Sequence, residues 1–292
     1  MAFVAFRGWA WPQDASHLLR VSILDVQAFK DHMVKHGGAP KTINRRISSL
    51  SSFYKFLSGA AAELRLPITV PNPAHAQFIS RESSDPVDET RALSETRARQ
   101  LVAMVTGDSL LELRDRAILK FYVYTGARIE TGCKLNVSDF HQDGDEATLR
   151  FQLEGARAKT KGIHFSAAES IAEYIESPDI ESGPSSALAS PHTATASPRA
   201  ASQRSMYRIL MSYLERIPGA IQEKELPSGE KIRECVFSPH SLRATTATLL
   251  LDSSVPIESV QELLDHKHIT TTQIYDKRRR SVRGSASHKV PI

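Results

Sequence analysis

The chain has 292 residues, 41% of them apolar and 24% charged, enough for two ordinary domains and at least one sizeable core. No apolar run approaches the ~20 residues of a membrane span, and "MAFVAFRGWAWPQDASHLLR" lacks a basic start ahead of a long apolar stretch, which argues against a membrane protein and a signal peptide. The net charge of +4 is unevenly spread: residues 1–82 carry ten Lys/Arg against five Asp/Glu, residues 276–292 six against one, and the acidic stretch between them is left to balance two basic ends, a distribution that suits a polyanionic partner, nucleic acid first.

Residues 22–37, "SILDVQAFKDHMVKHG", predict a helix. Val26, Phe29 and Met33 share a face, Ser22 and Asp25 form its start, and Gly37 and Gly38 end it. In "KTINRRISSLSSFYKFL", Ile43, Ile47, Leu50, Tyr54 and Leu57 form one stripe, and Lys41, Arg45, Ser48, Ser52 and Lys55 the opposite one. An apolar back with a basic, hydroxyl-bearing front suits a helix laid across phosphates, with Lys41, Arg45 and Arg46 as candidate DNA contacts. Residues 66–93 hold four prolines and little periodicity, so they read as linker; the expected domains are 1–82 and 94–292, joined by 83–93.

Ser94 caps the next helix, and "LLELRDRAILKFYVYTG" is another, with Leu113, Ala117, Phe121 and Tyr124 facing inward and Gly126 as its stop. Alternation at Leu149, Phe151 and Leu153, then at Ile163 and Phe165, predicts two strands joined by a turn near Gly155. Residues 181–202 are rich in Ser, Ala and Pro and read as an exposed loop. Helices resume at "RSMYRILMSYLERI" and run through most of 240–278. The expected fold class is therefore mainly α with a small β-sheet (α+β): a helical N-terminal module and a larger helical module carrying the sheet. Cys133 and Cys235 offer neither a zinc spacing nor a disulfide framework, which suits a reducing, cytoplasmic setting.

The second module also holds the reactive groups. Arg128 follows a helix end in "YTGARIE". Lys159 and Lys161 lie at or just past the hairpin turn. His240 and Arg243, three apart in "SPHSLRATTATLL", share a helix face. His266 ends a helix whose core face is Ile257, Val260, Leu263 and Leu264, and Tyr275 follows in a short helix that a threonine can cap. Attack on a phosphodiester needs a nucleophile, cations around the non-bridging oxygens and an acid for the leaving oxygen. Arginines fork onto two phosphate oxygens, histidines handle protons, and a lysine can protonate an alkoxide. A phenol, with its reference pKa near ~10, needs such cations to react at neutral pH. No carboxylate cluster suits a metal.

The order "TGAR", hairpin lysine, "HSLR", "LLDH" and tyrosine resembles the tyrosine recombinase/integrase family, including phage integrase-like and Xer-like site-specific recombinases. "SPHSLRATTATLLLDSSVPIESVQELLDHKHITTTQIY" is similar to the family signature along its length, and "APKTINRRISSLSSFYKFL" looks like the family's SAM-like core-binding domain; together the resemblance covers roughly residues 20–280. It implies that Arg128 and Arg243 hold the scissile phosphate, His240 and His266 add hydrogen bonds and proton handling, Lys159 is the general acid on the 5′ oxygen, with Lys161 and Arg157 also within reach of the turn, and Tyr275 forms a 3′-phosphotyrosine link. It further implies a double-stranded DNA partner, a homotetramer on two DNA sites, and strand rejoining without metal, ATP or a small-molecule cofactor. This chain departs from the pattern at Thr131, where an acidic residue is frequent, and at Ala244, where many members have histidine. Two rival readings remain: a type IB topoisomerase-like relaxing enzyme, and a non-catalytic DNA-binding protein that kept the fold.

Overall fold

Ser22 starts the first long helix as its sequence demands. Its Oγ accepts from Asp25 N (3.3 Å), and Asp25 accepts from Ser22 N (2.9 Å), so two of the helix's unpaired N–H groups are satisfied reciprocally. The computed structural model describes residues 2–11, 13–83, 90–152, 158–177, 202–225 and 230–276. The chain divides into two compact units, Met1–Glu89 and Thr90–Ile292.

The first unit contains α1 (Ala2–Phe6), a 3₁₀ turn at Ala15–Arg20, α2 (Ile23–Lys35) and α3 (Pro40–Glu63). Val26, Phe29 and Met33 of α2 are buried, as are Ile43, Ile47 and Tyr54 of α3, so both apolar stripes face the core. The Tyr54 hydroxyl donates to Leu18 O at 2.7 Å, which keeps its polar end satisfied inside. Residues 66–83 are not a linker: Val70, Ala74 and Ile79 are buried in this same core. Lys30, 5% exposed, donates to Ser80 O at 2.7 Å and pairs with the Glu82 carboxylate at 2.8 Å. Asn44 exchanges two hydrogen bonds with the Glu82 main chain, both 2.9 Å. The prolines break helical periodicity, but the apolar residues between them still dock. Of the expected 83–93 linker, residues 84–89 lie outside the described residues, and Leu93 is buried in the second unit, its N–H donating to Thr245 Oγ1 at 2.8 Å.

The second unit runs α4 (Glu95–Val102), α5 (Leu110–Thr125), α6 (Ile129–Cys133), β1 (Phe140–Asp143), β2 (Glu146–Gln152), β3 (Ala158–Gly162), α7 (Phe165–Ile175), α8 (Gln203–Leu214), β4 (Ile221–Glu225), β5 (Lys231–Cys235), α9 (Pro239–Asp252), α10 (Ile257–Leu264) and α11 (Ile269–Gln273). The fold is mainly helical, with an antiparallel three-stranded sheet in the order β1-β2-β3 and a β4-β5 hairpin. Its core packs Leu101, Ile118, Phe121, Leu149, Ile171 and Leu210. Among the described residues no helix is long and apolar enough to cross a membrane.

Several expectations are corrected. Tyr122, not Tyr124, faces the core of α5; Tyr124 is partly exposed and stacks on His164, with ring centroids 4.1 Å apart. The second strand ends at Gly162, and Phe165, 72% exposed, opens α7. The His164 ring accepts from Ser166 N (3.2 Å) and caps that helix, whose inward stripe is Ala167, Ala168, Ile171 and Tyr174. Ile163 and Phe165 keep a strand's spacing only by coincidence. The strand β1 and the β4-β5 hairpin escaped the pattern because their exposed positions are charged or polar and alternate weakly. Leu153, the turn near Gly155, and nearly all of the 181–202 loop lie outside the described residues.

Candidate active site

Three chain segments meet at the site. The first is the end of α5, where Gly126 takes φ +60° and accepts the close approach of α10: a Cβ there would lie 2.5 Å from Leu264 Cδ2. Both the left-handed backbone and the contact require glycine. Arg128 follows, at the start of α6. The second segment is α9, opened by Pro239, which brings His240 and Arg243 to one face. The third is the turn after α10, where Asp265 ends the helix in a left-handed conformation (φ 52°) and hands the chain to His266, α11 and Tyr275.

Arg243 is 2% exposed. Its Nη1 donates to Gly126 O at 2.7 Å and its Nη2 to Leu264 O, so the guanidinium ties α5 to α10 through two backbone carbonyls. Nε is buried with no hydrogen-bond partner among the described residues, a donor left for an incoming acceptor. Burial, reinforced by the neighbouring Arg128 charge, lowers the Arg243 pKa to about 10. Arg128 is exposed; its carbonyl accepts from Thr131 N at 2.9 Å, and its guanidinium has no hydrogen-bond or ion-pair partner among the described residues. A small cavity is lined by Arg128, Thr131, Lys161, Arg243, Leu264 and Asp265, among others. Among the described residues, Asp265 is the one carboxylate on its wall.

Tyr275 is half-buried against the small cluster Ala247, Leu251, Val260 and Leu264. Its hydroxyl lies 3.4 Å from His240 Nε2. The expected helix around it is shorter: α11 ends at Gln273, its N-cap is His268 with no side-chain cap bond, and Tyr275 falls in the turn beyond. Burial raises the phenol pKa above its ordinary value, although the Arg243 and Arg128 charges pull the other way. The cations alone therefore do not make a resting phenolate. Burial, with the same two arginines, lowers the pKa of His240, which leaves a neutral imidazole able to accept a proton. His266, 8% exposed, has its Nδ1 2.9 Å from Thr272 Oγ1, and its ring stacks on Tyr275 at 6.1 Å between centroids. Burial and the Arg243 charge lower its pKa to about 4.

The hairpin lysines separate. Lys161, whose side chain is 10% exposed, donates to Leu263 O at 2.6 Å and pairs with the Asp265 carboxylate. Lys159, 36% exposed, sits 3.3 Å from Glu262 and 3.6 Å from Asp265 and does not line the cavity. Arg157 lies outside the described residues, as does the basic tail 277–292. Thr131 lines the cavity in place of an acid; Glu130 is engaged elsewhere, 2.5 Å from Lys134. Ala244 is fully buried. In the first unit Lys41, Arg45 and Arg46 are exposed on α3, and Arg46 Nη1 approaches Met33 Sδ at 3.6 Å.

Sequence reasoning missed Asp265 and Thr272. A carboxylate embedded among cations in "RATT…LLDHKH" was the available signal for the first. Nothing in the threonine run singled out Thr272, which is fully buried. Among the described residues, no group of three or more His, Cys, Asp or Glu side chains is placed to hold a metal ion. Chemically, the site can bind a dianionic or monoanionic oxyanion, accept a proton from a phenol, and donate one from an ammonium.

Two family models match: the phage integrase family over residues 91–281, and the phage integrase N-terminal SAM-like domain over residues 4–60. The tyrosine recombinase XerC of Anoxybacillus flavithermus is 28% identical over 267 residues, covering 90% of this chain and 80% of that protein. The XerC of Xanthomonas campestris pv. campestris is 29% identical over 277 residues, covering 93% and 74%. Among solved structures, XerH bound to its difH substrate before cleavage superposes with a TM-score of 0.61 at 16% identity, covering 90% of this chain and 70% of that one. A lambda integrase tetramer bound to a Holliday junction gives 0.58 at 19% identity, covering 88% and 65%. At these identities the structural likeness is one of fold.

Proposed function

This chain belongs to the phage integrase family, and on that premise we propose that it acts as a tyrosine-type site-specific DNA recombinase, with Tyr275 as its nucleophile. The observation that carries the reading is the Tyr275 hydroxyl 3.4 Å from His240 Nε2, beside the buried Arg243 guanidinium.

Arg128 and the unpartnered Arg243 Nε bind non-bridging oxygens of the scissile phosphate, where negative charge grows in the transition state. DNA closes the site, and neutral His240 takes the phenol proton as the Tyr275 oxygen bonds to phosphorus. The bond from phosphorus to the 5′ oxygen breaks, and a hairpin lysine, Lys159 or Lys161, gives that oxygen a proton. The phosphodiester energy is kept in the 3′-phosphotyrosine bond. Attack by a 5′ hydroxyl, with the protons moving in reverse, rejoins the strands. His266, neutral near pH 7, supports the phenol ring by stacking and is steadied by Thr272. Residues 1–82 serve as the core-binding domain, with Lys41, Arg45 and Arg46 on duplex phosphates. The working assembly is a homotetramer on two duplexes, in the cytoplasm; the lambda integrase tetramer on a Holliday junction has the same fold.

The test is covalent trapping on genomic DNA. The parent chain is expected to yield a protein–DNA adduct whose attached ends can be sequenced. Tyr275→Phe is expected to bind duplex normally and to form none. An adduct that survives Tyr275→Phe shows that another residue attacks and removes this reading.

A further inference from the structure

Asp265 has no role in the scheme above, yet among the described residues its carboxylate is the one anion on the wall of the cationic cavity. It ends α10 in a left-handed conformation that a non-glycine residue adopts at some cost. Its carboxylate reaches across to β3 and pairs with Lys161. Lys161 also donates to Leu263 O at 2.6 Å and, weakly, to Glu262 O at 3.4 Å, so the last turn of α10 holds the ammonium from the carbonyl side. Its ammonium lies 5.3 Å from the Phe151 ring centroid, on the apolar side. The next carbonyl along, Leu264 O, holds Arg243. One helix end thus positions both cations, and among the described residues Asp265 supplies the full negative charge in the arrangement.

We propose that Asp265 is a positioning residue for strand transfer: it fixes Lys161 beside Arg243 and Arg128, so that Lys161, rather than Lys159, is the lysine that meets the leaving 5′ oxygen. This rests on the recombinase reading above. Lys161 shares the cavity with both arginines, and Lys159 does not. The bond to Glu262 O is long enough to be given up, so one N–H can turn to the DNA while the ion pair to Asp265 persists. In the step itself the Lys161 ammonium passes one proton to the 5′ oxygen as its bond to phosphorus breaks, and remains as a neutral amine until the reverse reaction returns the proton. Burial, which lowers the Lys161 pKa, favours that release.

The experiment measures single-turnover adduct formation by the full chain on a nicked duplex carrying the DNA end recovered from the trapped Tyr275 adduct. Asp265→Asn is expected to slow adduct formation about tenfold, and Lys161→Ala at least as much, within the range of one lost acid. The double variant is expected to match Lys161→Ala alone, because the carboxylate acts through the lysine. Lys159→Ala is expected to lose less than Lys161→Ala. A duplex with sulfur in place of the bridging 5′ oxygen leaves as a thiolate that needs no proton. It is expected to restore both Asp265→Asn and Lys161→Ala, which a merely structural role would not allow. Asp265→Gly, which takes the left-handed backbone freely, keeps the test open if the Asn variant folds poorly. Parental rates for Asp265→Asn, a larger loss for Lys159→Ala, or no rescue by sulfur each overturn the proposal. Loss of the adduct requirement for Tyr275 would instead overturn the recombinase reading and leave the Lys161–Asp265 pair in place.

Discussion

Arg243 and Arg45 are both candidate phosphate ligands, and their surroundings are opposite. Arg243 is 2% exposed on α9, and its two terminal nitrogens are held by Gly126 O and Leu264 O. Arg45 is exposed on α3, and its guanidinium has no hydrogen-bond or ion-pair partner among the described residues. The first has already lost its water and its rotamer freedom, so it meets a phosphate in a fixed orientation and a low dielectric. The second keeps both, and interacts through a field that salt screens within about 8 Å at physiological ionic strength. On the proposed reading, the difference separates a cation suited to transition-state charge from one suited to general attraction to a duplex.

The largest effect that follows is at Arg243. Arg243→Lys keeps the charge but cannot serve two carbonyls and a phosphate with a forked, planar donor set. Adduct formation is expected to fall by about 10²–10³, the loss typical of one transition-state donor. Chemical denaturation is expected to show a stability loss of about 1–3 kcal/mol, because Gly126 O or Leu264 O is left buried without its donor. Near-parental cleavage by Arg243→Lys would mean that charge alone suffices, and the contrast with Arg45 would collapse.

The same contrast explains what the sequence disclosed. Helical stripes such as Ile43/Ile47/Tyr54 are local and periodic, so α2, α3 and the extent of α5 could be read directly, and the order of the motifs along the chain singles out Arg128, His240, Arg243, His266 and Tyr275. Burial of Arg243 and the helix-end carbonyls that hold it depend on α5, α9 and α10 meeting, which no local pattern encodes. Asp265 was hidden for that reason: its meaning comes from Lys161, more than a hundred residues away in the chain. Residues 66–83 misled because prolines mask burial; Ala74 and Ile79 reach the core without any regular element. The proposed preference for Lys161 over Lys159 rests on which one lines the cavity, a property of the folded hairpin and α10 together.

A smaller effect sharpens the comparison through pH. His266 titrates at about 4 in the folded chain against an ordinary 6.5, because burial and Arg243 oppose its protonation. Between these values the unfolded chain binds the extra proton, so the contribution is fully present above the ordinary value and is lost as pH falls toward the folded one. Acidification from about pH 7 to about pH 5 is expected to cost about 2 kcal/mol through this group. His240, whose pKa is also lowered, adds in the same direction. Urea unfolding of the parent and of His266→Gln at the two pH values checks it. The variant is expected to lose correspondingly less stability on acidification, and an equal loss in both proteins would show that the desolvation around Arg243 does not reach His266.

The smallest effect belongs to Arg45. If its guanidinium meets a duplex only as a solvated charge, Arg45→Ala removes about one released counterion, and the slope of log affinity against log salt is expected to fall by about one. Because phosphate contacts carry no sequence information, the loss on an arbitrary duplex is expected to equal that on the recovered target, and adduct formation at saturating DNA is expected to stay at the parental rate. Binding isotherms for both duplexes over a range of salt, read beside single-turnover cleavage, separate the terms. A cleavage defect at saturation would place Arg45 with Arg243 as a residue felt in the transition state. An unchanged salt slope would mean that the exposed face of α3 meets no phosphate at this position, and the basic stripe would then be a solvated surface with its charge directed at water.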